Sequence, residues 1–96
     1  MQFLSVSRRR LDQFPAEAWT PELMDSEAQR VREMYAAGSL RTIWRRGDLP
    51  GAVMLLEAAD EAEARALVES LPLAKLGMLE FVVVTALEPY PGFGPR

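Results

Sequence analysis

The two side chains that most often move protons or hold metals are missing: the 96-residue sequence has no histidine and no cysteine. Acid–base chemistry would fall to carboxylates, to Tyr35 or Tyr90, to Lys75, or to a bound cofactor. Thiolate nucleophiles, disulfides and cysteine zinc clusters are excluded. Among the carboxylates, Glu27 is out of place. It falls inside the apolar arc that Leu23, Met24, Ala28, Val31, Met34 and Tyr35 make at helical spacing. An acid at the edge of such a stripe can reach into water or pair with Arg30 or Arg45. If it faces a closed cavity instead, desolvation raises its pKa and suits it to proton transfer near neutral pH.

The elements that would position Glu27 are marked by caps and periodicity. Thr20-Pro21-Glu22 gives a hydroxyl cap, a proline at the first helical position and an acid in the first turn, which predicts a helix running to Ala37 and stopping at Gly38. Leu40, Thr42 and Trp44 alternate with Arg41, Ile43 and Arg45, the period of a strand. The loop Gly47-Asp-Leu-Pro-Gly51 suits a wide hairpin turn, with Val53–Leu56 as the return strand. Met1–Ser7 reads as a first strand closed by arginines, and Leu11–Trp19 as an irregular connection pinned by Phe14 and Trp19, long enough to border a site. Asp60-Glu-Ala-Glu63 fits a capping box for a shorter helix with the stripe Ala64, Leu67, Val68 and Leu71, ended by Pro72. Lys75 and Gly77 sit in a brief connector before a last strand, Met78–Leu87.

Strand–helix–strand–strand–helix–strand is the split βαβ order of a ferredoxin-like α+β domain: a four-stranded antiparallel sheet with two helices on one face. Residues 1–88 form this single domain, and 89–96 a tail in which prolines and glycines prevent regular strand pairing. Val53–Leu56 and Phe81–Val84 are apolar on both faces, whereas a sheet with one wet face should alternate. The uncovered face is therefore expected to meet the same face of a second chain, giving a dimeric α/β barrel.

The net charge of −3 gives no support for a nucleic-acid partner, and Arg8, Arg9 and Arg10 read as a solvated strand end rather than a phosphate-tracking stripe. No apolar run approaches membrane-spanning length and the first residues lack a secretory hydrophobic stretch, so no membrane partner and a cytoplasmic location are expected.

Three fragments, in order and spacing, carry a likeness along nearly the whole chain. Gly38-x-Leu-Arg-x-Ile-Trp-Arg45, the turn Ser70-Leu-Pro-Leu73, and Glu27 eleven residues before Gly38 together resemble the muconolactone Δ-isomerase family. The resemblance implies a ferredoxin-like subunit, sheet-to-sheet homodimers and higher rings such as decamers. It also implies a cofactor-free 1,3-proton shift that moves the double bond of a small unsaturated lactone in aromatic-compound breakdown. On the matching positions, Glu27 is the candidate base and Arg45 the candidate holder of a carboxylate or enolate, with Tyr35, Arg41, Trp44 and Met54 as candidate substrate contacts. The sequence departs from the family pattern where Ala74-Lys75-Leu76 follows Leu73, where Ala52–Glu57 carries no amide, and where Glu88-Pro89-Tyr90-Pro91 stands in place of His-Pro.

Two other readings use the same scaffold. A larger, greasier pocket lined by Met34, Tyr35, Trp44 and Met54 would suit a cofactor-free monooxygenase or cyclase acting on polyketide-like aromatics. A chain without a cavity would be a non-catalytic ligand-binding or assembly module whose hairpin serves to dimerise. Polar convergence of Glu27, Tyr35 and Arg41 or Arg45 around a cavity of a few hundred Å³ would mark the isomerase.

Overall fold

A computed structural model describes residues 1–94. Pro95 and Arg96, the end of the expected tail, lie outside the described residues. The strands are β1 (Gln2–Arg9), β2 (Leu40–Arg45), β3 (Ala52–Glu57) and β4 (Leu79–Ala86); the helices are α1 (Pro21–Ala36), α2 (Glu61–Glu69) and the single turn α3 (Pro72–Lys75). The sheet order is β2-β3-β1-β4 with every pairing antiparallel, the ferredoxin-like topology. No helix among the described residues is long and apolar enough to cross a membrane.

Local chemistry accounts for most boundaries. The Thr20 side chain accepts the Leu23 N–H at 3.2 Å to open α1, and Gly38, at φ +80°, turns the chain out of it. Asp60 accepts the Glu63 N–H at 2.8 Å to open α2. Pro72 does more than end α2. Its missing N–H and fixed φ suit the first position of a helix, and it starts α3 where the sequence suggests only a connector.

The helices pack on the sheet face that carries Phe3, Met54 and Leu56, and the core closes with Met34, Val68, Leu71 and Leu73. Two expectations change here. Within α1 the fully buried residue is Met34, while Tyr35, assigned to the apolar face, is 66% exposed. On β1 the buried side chains are Phe3, Ser5 and Ser7, and the two-residue period carries on to place Arg9 on that inner face. The arginine run is thus divided: Arg8 pairs with Glu80 and Asp12, whereas Arg9 turns toward the interior.

The opposite face carries the alternate residues. Leu4, Val6, Val53 and Leu55 are half-buried by their own neighbours, and Trp44 and Val82 are each 55% exposed. A bulge between Val6 and Ser7 places Val82 as an extra residue opposite the β1 strand.

Candidate active site

A cavity of about 240 Å³ opens between α1, the α2–α3 turn and the end of the sheet where β2 and β3 are joined. Its walls are largely apolar, from Val31, Ile43, Met54, Leu71, Leu73 and Leu79. The charged groups in it are Glu27, Arg9 and Arg45.

Glu27 reaches this space because it sits one helical turn before Val31 on α1. Its Oε1 accepts the backbone N–H of Leu73 at 3.0 Å. That donor is one of the free N–H groups at the start of α3, where Leu71 offers no side-chain cap. Glu27 and Leu-Pro-Leu, 46 residues apart, are therefore joined by one hydrogen bond. Arg30 braces the same turn through Ser70 Oγ at 3.0 Å and does not pair with Glu27. Among the described residues Glu27 makes no ion pair. Burial pushes its pKa above the usual carboxylate value, opposed by the Leu73 N–H and, more weakly, by the charge of Arg9.

Arg45 ends β2 opposite Ala52, two residues from Ile43, which faces buried Met54. It thus borders the cavity from the helix side of the sheet, with its side chain exposed at the mouth. Met54 forms part of the floor. Trp44 borders the cavity too, but its register partner is Val53, on the open face. Tyr35 and Arg41 are elsewhere. They line a shallow groove with Val31, Arg32, Leu40, Thr42 and Ile43 on the outer side of α1 and β2. The cavity thus gathers Glu27, Trp44, Arg45 and Met54, and leaves out Tyr35 and Arg41.

Arg9 escaped the sequence reading, although a signal for it exists. Extending the β1 alternation Phe3, Ser5, Ser7 by one step puts Arg9 on the inner face. Its guanidinium carbon lies 5.5 Å from the centroid of the Trp19 ring, and Trp19 meets Phe14 edge-on with centroids 6.3 Å apart. The connection from Leu11 to Trp19 borders the site through this contact.

A four-stranded antiparallel sheet in this order, with helices on one face and a half-buried carboxylate at their seam, defines a ferredoxin-like α+β protein with a cavity of small-molecule size. The chain belongs to the muconolactone delta-isomerase family, whose pattern it matches over residues 1–92. It is similar in fold to the crystal structure of muconolactone isomerase, with a TM-score of 0.74 at 18% identity, covering 100% of this chain and 98% of that one. It is also similar to 5-chloro-2-hydroxyhydroquinone dehydrochlorinase from Burkholderia phenoliruptrix AC1100, solved with 2,5-dihydroxybenzoquinone, with a TM-score of 0.60 at 19% identity over 96% of each chain. No protein of curated function matches the sequence significantly.

Proposed function

We propose that this chain catalyses a cofactor-free proton-transfer isomerisation of a small unsaturated lactone or related oxygenated ring compound from aromatic breakdown. The observation that carries the reading is Glu27, a carboxylate whose charged form is disfavoured by burial, facing a cavity beside a guanidinium. Ionised Glu27 takes a proton from a carbon conjugated to the ring carbonyl. The electron pair enters the π system, the double bond moves, and negative charge gathers on the carbonyl oxygen. Arg45 holds that oxygen or a neighbouring carboxylate, because guanidinium binds both in plane through paired N–H donors. The protonated Glu27 carboxyl exchanges with solvent through the open mouth of the cavity and then delivers a proton to the far carbon, so substrate and product are isomers and no oxidant or cofactor is consumed. Trp44 and Met54 supply walls at the mouth and floor; Tyr35 and Arg41, outside the cavity, take no part in this step.

The volume argues against the polyketide reading. About 240 Å³ lies below the range of roughly 300–1,000 Å³ usual for drug-sized ligands, so one ring fits better than several. A dehydrochlorinase-like reaction is the nearer alternative, since elimination of chloride also begins with removal of a proton by a base. We further propose that a second copy covers the open sheet face, which would shelter Trp44 and Val82.

The test is solvent-isotope incorporation. Incubated with muconolactone in D₂O, the chain is expected to move the double bond and leave deuterium on the carbon that receives the proton. Glu27→Gln should lose about 10²–10⁴-fold in rate while keeping its fold. Full activity in that variant would remove Glu27 from the role of base.

A further inference from the structure

The arginines divide by what they touch. Arg8 is committed to Glu80 and Asp12, Arg30 to Ser70 and Glu33, Arg32 to Gln29, Arg46 to Asp48, and Arg65 to Glu61. Arg9 is different. Among the described residues its guanidinium has no carboxylate within ion-pair distance, no side-chain hydrogen bond is formed by it, and its contact is the face of Trp19. It is half-buried and borders the same cavity as Glu27.

We propose that Arg9 is the specificity-determining residue of this cavity, receiving the carboxylate of an anionic ring substrate on N–H donors left free by its cation–π contact with Trp19; this rests on the proton-transfer reading of Glu27 given above. A guanidinium held over an aromatic ring by a cation–π contact spends none of its N–H donors on a hydrogen-bond acceptor. In a half-desolvated wall, a cation without an acid is costly unless a ligand supplies the anion. The balance of charge agrees. The cavity holds two guanidinium groups, Arg9 and Arg45, against one carboxylate, Glu27. Even with Glu27 ionised, one positive charge is left over, and a monoanionic ligand neutralises it. The two cations also differ in setting: Arg45 is exposed at the mouth, while Arg9 is the more sheltered and stands where its charge is felt by Glu27. A role confined to packing would be met equally well by methionine, which can lie on Trp19 without carrying a charge into the wall.

Furan-2-carboxylate and its neutral amide, furan-2-carboxamide, test this on the full chain by calorimetric or NMR titration. The unmodified protein is expected to bind the carboxylate more tightly by about tenfold or more, the scale of a charge-assisted hydrogen bond. Arg9→Met should bring the two ligands close to parity, and Arg9→Lys should restore part of the preference. In the unmodified protein, the Arg9 Nε–H resonance should shift with the carboxylate and stay in place with the amide, a readout that does not depend on a variant folding. Arg9→Met should also raise the pH at which Glu27 titrates, because an opposing positive charge is gone. Equal affinity for the two ligands, or no binding of the carboxylate, overturns the proposal. So does a preference that survives Arg9→Met and collapses in Arg45→Met. None of those results touches Glu27, whose role as base fails separately if Glu27→Gln still incorporates deuterium.

Discussion

Glu27 has one backbone donor and a largely apolar setting, so the protein bears a cost whenever it is charged. The raised pKa fixes the sign of its linkage to stability. Relative to a neutral analogue, its contribution is most favourable below the unfolded-state value and is lost as pH rises through the folded-state value. Glu27→Gln should therefore gain stability relative to the unmodified chain as pH rises from the ordinary glutamate value of about 4.3 toward neutrality. Denaturant midpoints measured across that range check this, and a difference that stays flat would contradict it. Glu27 could be picked out from sequence because the helical period alone sets it among Met24 and Val31. Its partner could not, since the Leu73 N–H is a main-chain donor brought near only when α3 forms. Arg9 was hidden by its neighbours: three consecutive arginines look like a solvated run until the strand pleat separates them.

At the scale of elements, the cavity depends on how closely the β2–β3 hairpin approaches β1. A Cβ placed on Gly51 would lie 2.1 Å from the Ser7 carbonyl oxygen, and Ser7 Oγ accepts the Ala52 N–H at 3.3 Å beside it. Gly51→Ala must push the hairpin away from β1, with an expected loss of about 1–3 kcal/mol in a denaturant titration and weaker binding of ring ligands. An unchanged midpoint would show that the loop yields freely. Thr20→Ala should cost about 1 kcal/mol through the lost cap of α1, without altering the site. The caps, the hairpin and the order of elements were readable because each rests on local residue chemistry. The start of α3 was not, since a proline after a helix signals an end and a beginning equally well. Tyr35 was misplaced for a related reason: helical spacing gives an arc, but only packing against the sheet decides that Met34 lies at its centre.

For the whole molecule, the proposed dimer rests on the open sheet face. Trp44, Val82 and Val83 are exposed there among half-buried Leu4, Val6, Val53 and Leu55, and sheltering each fully would contribute up to about 1.5–3 kcal/mol before entropic costs. Light scattering at micromolar concentration is expected to report a dimer, and Val83→Asp to yield single subunits; a stable lone subunit in the unmodified chain would contradict the sheet-to-sheet pairing. Apolar runs on both faces of β3 and β4 made this surface legible from sequence, whereas the cavity on the other side was legible only in part: Glu27, Trp44, Arg45 and Met54 could be picked out, but the α3 turn and Arg9, from separate parts of the chain, could not. The central claim is that this cavity holds a carboxylate tuned for taking protons. Titration of the Glu27 side-chain carboxyl by ¹³C NMR in the intact protein tests it most directly. A midpoint clearly above the ordinary glutamate value of about 4.3, rising further in Arg9→Met, is the expected result; a midpoint at or below that value would contradict it.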